Sequence, residues 1–151
     1  MKAKPLPKLL KDADEWFSKN VRLRDSEPLD GEYVGTCITC SKSGVVAWRD
    51  ETGKFRFTKG WNAGHFVGRG SKVVRFNEMN VNLQCAFRCN NLRSGEYVKY
   101  KKALKLKYGD NTPAELENLA DQTTYYKFTR EELDEIIHDS KEAVKFYERN
   151  L

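Results

Sequence analysis

The sequence predicts an α+β fold in which helices flank a β-rich centre, and three of its features predict it. Apolar residues near the N-terminus recur at helical spacing, short β-type runs separated by turn signals fill the middle, and a capped amphipathic segment closes the chain. Leu9, Leu10, Ala13, Trp16, Phe17 and Val21 mark a helix from about residue 8, with Pro5 and Pro7 just before it, where proline is tolerated. Residues 25–32 (DSEPLDGE) read as a loop. Strands are expected at 33–37, 45–48 and 54–58, the last two joined by the turn sequence RDETG into a hairpin, and a further strand at 62–67, broken by GRGS. Residues 95–108 (GEYVKYKKALKLKY) read as a helix with Tyr97, Tyr100, Leu104 and Tyr108 available for one face and Gly109 as its stop. Pro113 opens a short helix. Thr129 and Glu132 form a capping-box pattern ahead of a core-facing stripe of Leu133, Ile136, Ile137, Ala143, Val144 and Tyr147.

At 151 residues the chain has the length of one domain, read as an N-terminal helix (1–30), a core (31–108) and a C-terminal helical part (109–151). No apolar run approaches the roughly 18 residues of a membrane span, so no membrane partner is expected. The N-terminus, MKAKPLPKLLKDADEWF, has no apolar stretch before a small-residue cleavage site, and the expectation is a cytoplasmic protein. Aromatics at 12% are too many for a disordered polyelectrolyte. The net charge of +5 conceals an asymmetry: residues 1–53 carry 9 basic and 9 acidic side chains, residues 54–107 carry 13 against 2, and residues 108–151 carry 5 against 11. The central block repels itself unless a polyanion lies against it, and nucleic acid is the commonest such partner; a merely solvated basic face is the alternative. The acidic tail opposes indiscriminate coating of nucleic acid.

The four cysteines fall into two close pairs, Cys37-Ile-Thr-Cys40 and Cys85-Ala-Phe-Arg-Cys89. Two short-spaced pairs separated by intervening fold supply four thiolates to one tetrahedral zinc. Disulfides are the competing reading. A cytoplasmic chain disfavours them, and neither pair lies in the βαβ setting of a thioredoxin-like redox motif. The two histidines differ in setting. His138 sits in the last helix, away from other chemical signals, whereas His65 lies between the cysteine pairs in W-N-A-G-H-F, ahead of R-F-N-E-M-N-V-N-L-Q-C and of Asn90 and Asn91 directly after Cys89.

The order CxxC, A-G-H-F, R-F-N-E-x-N, Q-C, C-N and S-G resembles the NinG/Rap phage recombination nucleases, part of the wider HNH or His-Me finger group, from about Leu10 to the C-terminus. The resemblance implies a zinc-stabilised ββα-metal core and a metal-dependent endonuclease acting on branched DNA such as Holliday junctions or flaps. By matching positions, His65 would deprotonate the attacking water. Asn80 would bond backbone to hold the loop and the imidazole, and Asn90 would bind a catalytic Mg²⁺ or Mn²⁺ through its amide oxygen. Two departures stand out: a hairpin insertion at about residues 49–60 and one extra residue between Cys85 and Cys89. Many His-Me nucleases also carry Asp or His before the base, where this chain has Gly64. Asn62 and Glu78 are the candidates for the missing ligand, with Glu78 alternatively a partner for Arg75 and Asn62 a turn residue.

Arg69, Lys72 and Arg75 follow the histidine strand and are expected to grip phosphates, together with Arg93, Lys99, Lys101, Lys102 and Lys105 around the next helix. Trp48 and Trp61 bracket the insertion and read as core, or as base-stacking residues if exposed. Paired cuts in a near-symmetric junction suggest a homodimer, with the N-terminal helix (Trp16, Phe17) or the C-terminal helix as its surface. Two other functions compete. A zinc-stabilised DNA-binding module without catalysis leaves His65 structural. A zinc deaminase fails, because Phe66 and Val67 follow His65 where H-x-E is needed and no proline precedes Cys85.

Overall fold

The N-terminal segment forms α1 (Leu6–Arg24), with Pro7 in its first turn, where no backbone donor is required. In the computed structural model, which describes residues 2–92 and 94–151, its apolar stripe buries Leu9, Ala13, Phe17, Val21 and Leu23. An antiparallel meander follows: β1 (Ser26–Leu29), β2 (Glu32–Thr36), β3 (Ser43–Arg49) and β4 (Phe55–Phe57), in that spatial order. β1 occupies half of the stretch expected as a loop. Asp30 (φ 50°) and Gly31 (φ 81°) make a tight turn that folds Ser26–Leu29 back on β2, and Pro28 is tolerated because β1 is an edge strand. The β3–β4 hairpin is present as expected. The Asp50 carboxylate accepts from the Thr52 amide (2.9 Å) and hydroxyl (2.6 Å), the Lys54 amide (2.9 Å) and Arg56 Nε (2.9 Å).

A second, two-stranded sheet pairs β5 (Trp61–His65) with β6 (Val81–Cys85) antiparallel, Trp61 opposite Cys85 and His65 opposite Val81. β6 has no counterpart among the strands read from sequence. Its polar residues Asn82 and Gln84 are buried with the rest, so no solvent face marks it. The loop between the strands contains a single 3₁₀ turn at Lys72–Val74. A widened π-helical turn, Ala86–Leu92, then leads to α2 (Tyr97–Tyr108), α3 (Thr112–Gln122) and α4 (Arg130–Arg149). The capping box on α4 forms: the Thr129 hydroxyl accepts from the Glu132 amide (3.1 Å) and the Glu132 carboxylate from the Thr129 amide (2.8 Å).

The apolar faces of α1 and α4 close on each other. Leu9 and Ala13 meet Leu133, and Trp16 packs beside Val144 and Tyr147. Phe17, 7% exposed, faces Val81 and makes an edge contact with Phe76. Phe17 is therefore buried within the chain, and Trp16 is half-buried against α4. Trp61 is buried as expected, but Trp48 is 39% exposed, past the buried Val46–Ala47 pair and opposite Glu32 of β2. Tyr100 and Leu104 of α2 are buried, whereas Tyr97 is half exposed and stacks on Phe66 with ring centroids 5.3 Å apart.

A polar lock ties α1, β6 and α2 together. Arg24 donates to the Val81 carbonyl (2.8 Å) and pairs with Asp25, whose carboxylate accepts from the Leu83 amide (2.9 Å). Asn82 Oδ1 accepts from Lys107 Nζ (2.8 Å) and the Tyr108 hydroxyl (3.1 Å), and the Tyr100 hydroxyl donates to the Gly64 carbonyl (2.5 Å). The small sheet is thus held from both faces. Among the described residues no helix is long and apolar enough to cross a membrane.

Candidate functional site

Cys37 and Cys40 lie on the turn after β2, which closes through hydrogen bonds from the Cys37 amide to the Lys42 carbonyl (2.8 Å) and from the Ser41 amide to the Cys37 carbonyl (3.0 Å). The Ile38 amide donates to the Leu83 carbonyl (2.9 Å), which brings this turn against β6. There Cys85 ends the strand and Cys89 lies one π-helical turn on. The longer spacing of the second pair is absorbed by that widened turn. All four sulfurs lie within 4.8 Å of one another, and the Cys40 and Cys85 Sγ atoms are 3.8 Å apart. Four thiolates at a Zn–S distance of about 2.3 Å around a tetrahedral ion stand ~3.8 Å apart. The cysteines are free thiols with no disulfide among them, so the set fits a zinc ion.

Burial opposes ionisation at Cys37, Cys40 and Cys89. At Cys37 the Thr39 hydroxyl and three backbone amides outweigh it and bring the thiol down to about 6. Burial holds Cys40 up, and burial with neighbouring thiols pushes Cys89 up to about 12. A divalent cation stabilises the thiolate form of all four. Val46, Trp61 and Leu83 pack around the sulfurs.

Next to this centre lies a cleft of about 530 Å³ lined by Asp14, Phe17 and Ser18 of α1, Asn62, Ala63 and His65 of β5, Gly68 and Arg69 of the following loop, and Asn90, Ser94 and Gly95 beyond Cys89. Among the described residues β6 is the strand that pairs with β5, and Val81 of β6 lines the cleft together with Asn62, Ala63 and His65 of β5. His65 Nε2 lies 2.9 Å from the Arg75 carbonyl oxygen. A carbonyl can only accept, so the proton sits on Nε2 and Nδ1 keeps its lone pair. Burial lowers the His65 pKa from 6.5, and the Arg69 and Arg75 charges lower it further, against the opposing effects of the Arg75 carbonyl and Asp14. The ring is neutral at neutral pH.

Asn80 is fully buried and staples the loop that carries the ring's anchor. Its Oδ1 accepts from the Val67 amide (2.8 Å), and its Nδ2 donates to the Val67 (2.9 Å) and Val74 (3.0 Å) carbonyls. The backbone joins in, the Phe66 amide donating to the Asn80 carbonyl (2.9 Å). This pairing ends β5 at His65, two residues earlier than expected.

The structure brings His65, Asn62, Asn90 and Arg69 to one cleft, and it separates other expected residues from it. Glu78 is exposed and does not line the cleft; only its carbonyl is engaged, by Arg24 (3.0 Å). The partner of Arg75 is Asp14, not Glu78: Arg75 Nε donates to Asp14 Oδ1 (2.9 Å) and Nη2 to Oδ2. Arg75 is therefore paired with Asp14 and largely buried. Lys72 is exposed on the loop away from the cleft. Lys99 and Lys101 stand 3.9 Å from Glu96 and Glu117, pairs too exposed to hold them firmly, and Lys102 and Lys105 are exposed on α2. Arg93 lies outside the described residues.

Asp14 is the cleft residue that sequence reasoning missed. Its signal was an acid set between Ala13 and Phe17, one turn before Ser18, on the buried side of an amphipathic helix. Gly64 also gains an explanation. A Cβ there would collide with Gln84 Oε1, a buried oxygen without a partner among the described residues, so no side chain fits before His65. Gly64→Ala is expected to cost about 1–3 kcal/mol through overpacking, measured by denaturant unfolding, and to displace His65.

No curated protein and no solved structure matches this chain. The family model described as Bacteriophage Lambda NinG protein matches residues 1–150. With all but one residue of its length inside that match, the chain belongs to the NinG family.

Proposed function

We propose that the protein is a metal-dependent DNA endonuclease of the HNH or His-Me finger type, serving phage recombination by cutting branched DNA. One observation carries this reading: a neutral imidazole with a bare Nδ1 lines the same cleft as the amides of Asn62 and Asn90, beside a four-cysteine centre. β5, β6 and the Asn90 turn correspond to the ββα-metal unit under it.

His65 Nδ1 takes a proton from water as the water oxygen attacks the phosphorus in line. The bond to the leaving sugar oxygen breaks, and that oxygen is protonated by solvent. Asn80 holds the loop from which the Arg75 carbonyl fixes the ring, and Arg69 grips a phosphate oxygen at the cleft rim. The cleft offers oxygen donors suited to Mg²⁺ or Mn²⁺ in Asn90 and Asn62, the latter on β5 two residues before Gly64. A bound divalent ion supplies neutralisation of charge on the phosphate and the leaving oxygen. The zinc centre takes no part in the chemistry and fixes Asn90, the residue next to Cys89.

Phosphate contacts carry no base identity, so a basic surface around one chemical site suits recognition of DNA shape. The test is cleavage of a four-way junction, a flap and a linear duplex of matched sequence, in Mg²⁺ or Mn²⁺. Preferential cutting of the branched substrates is expected; equal cutting of all three removes the structure-selective reading, and no cutting removes the nuclease.

The pH dependence follows from the depressed His65 pKa. Cleavage stays level above pH ~6.5, the ordinary histidine value, and falls only below it as the base is protonated. The same shift affects stability: above the unfolded value His65 contributes nothing, and stability is lost as pH falls from there through the folded value. A rate profile whose acid limb lies above the ordinary histidine value contradicts this assignment.

A further inference from the structure

We infer that Asp14, on the N-terminal helix, is a positioning residue for His65 and acts through Arg75. The inference rests on the reading of His65 as the base. Three contacts form the chain: the Asp14 carboxylate grips the Arg75 guanidinium through both oxygens, the Arg75 carbonyl oxygen lies 2.9 Å from His65 Nε2, and Arg75 Nη1 donates to the Arg69 carbonyl (3.4 Å). The side chain and the carbonyl of one residue therefore link α1 to the imidazole.

The loop of residues 66–80 is long and contains one 3₁₀ turn, so its course over the cleft is set by a few anchors. Val74 is buried and Phe76 packs on Phe17 and Phe128, which fixes the depth of the loop on either side of Arg75. Neither contact orients the Arg75 carbonyl. The Arg75 amide donates to the Lys72 carbonyl (3.2 Å) and Asn80 Nδ2 to the Val74 carbonyl (3.0 Å), and the two-point ion pair adds a hold on Arg75 from α1, because a planar guanidinium held by both carboxylate oxygens is fixed in direction as well as distance. Asp14 and Arg75 are only 20% and 15% exposed at their side chains, and Asp14 itself lines the cleft. Asp14 also stands 3.9 Å from Arg69, whose side chain is 62% exposed and so is not firmly held, which leaves Arg75 as the arginine that Asp14 fixes.

The test uses the full-length, zinc-loaded chain with ¹⁵N-labelled histidine, in which only His65 and His138 report and His138, exposed on α4, serves as the reference. In the unmodified protein His65 is a single neutral tautomer with the proton on Nε2. Asp14→Asn mixes the tautomers and lowers the His65 titration midpoint, since a negative charge facing Arg69 and Arg75 is lost. Cleavage at saturating DNA falls on the order of tenfold to a hundredfold, as for a misplaced catalytic group. KM stays near that of the unmodified protein. Asp14→Glu, which keeps the carboxylate, restores the tautomer and most of the rate.

A folded, zinc-loaded Asp14→Asn protein with an unchanged His65 tautomer overturns the inference, even if its cleavage is lost or its Mn²⁺ binding falls. If Asp14→Asn does not fold, Arg75→Lys is read instead: it keeps the carbonyl and the charge but not the two-point grip, and an unchanged tautomer there overturns the inference equally. A mixed tautomer in a protein whose unmodified form cuts no DNA sinks the nuclease reading and leaves the positioning role standing.

Discussion

Under the proposed function, His65→Ala is expected to lower DNA cleavage on the order of 10²–10⁴-fold, as for a missing general base, with junction binding expected to stay within about twofold. The direction follows from the geometry of the ring. Nε2 is committed to the Arg75 carbonyl, Nδ1 has no hydrogen-bond partner among the described residues, and burial keeps the imidazole neutral. No other described histidine or cysteine lines the cleft to take over. Binding survives because it draws on the basic residues around the cleft and along α2, which the substitution leaves in place. Single-turnover cleavage beside a mobility-shift titration separates the two quantities. An unmodified protein that binds junctions and never cuts them favours the DNA-binding module instead.

Zinc removal has the largest expected effect on the fold. Cys37→Ser, Cys85→Ser or Cys89→Ser, or a strong chelator, is expected to destabilise the protein by more than about 4 kcal/mol, since loss of a metal is among the few changes that reach this size. For a chain of this length that is a drop of roughly 10 °C or more in melting temperature. The three cysteines are buried among Val46, Trp61 and Leu83, and their loss releases the turn after β2 and the turn bearing Asn90 together. Cys40, the least buried of the four, should cost least. Calorimetry with zinc analysis checks this; an unchanged melting temperature in the zinc-free protein contradicts a structural centre.

The two ends of the fold were legible in the sequence because their signals are local. α1 and α4 carry helical stripes, and Thr129 with Glu132 forms the expected reciprocal cap. The cysteine pairs were legible because metal-ligand spacing is local too, and their convergence needed only that the intervening chain fold back. What escaped depends on partners distant in sequence. β1 is a polar edge strand created by the Asp30–Gly31 turn, and β6 hides Asn82 against Lys107 and Tyr108 and Gln84 against Thr39 and the Gly95 carbonyl. Arg75 read as a free cation until a carboxylate 61 residues away claimed it. Asp14 was invisible for the same reason: a charged residue on the inner side of a helix gains meaning only when its opposite neighbour is known. Gly64 read as a gap in a ligand set, and in the structure it is the position that leaves room for Gln84.

The most direct measurement adds Mn²⁺ to the zinc-loaded protein and follows paramagnetic broadening of the His65 imidazole signals, with His138 as internal reference. Strong broadening of His65 alone, abolished by Asn90→Ala in a protein that keeps its zinc, is the predicted result. Equal broadening of both rings, or a His65 signal untouched by saturating Mn²⁺, contradicts a cleft that brings base and hard cation to one phosphodiester.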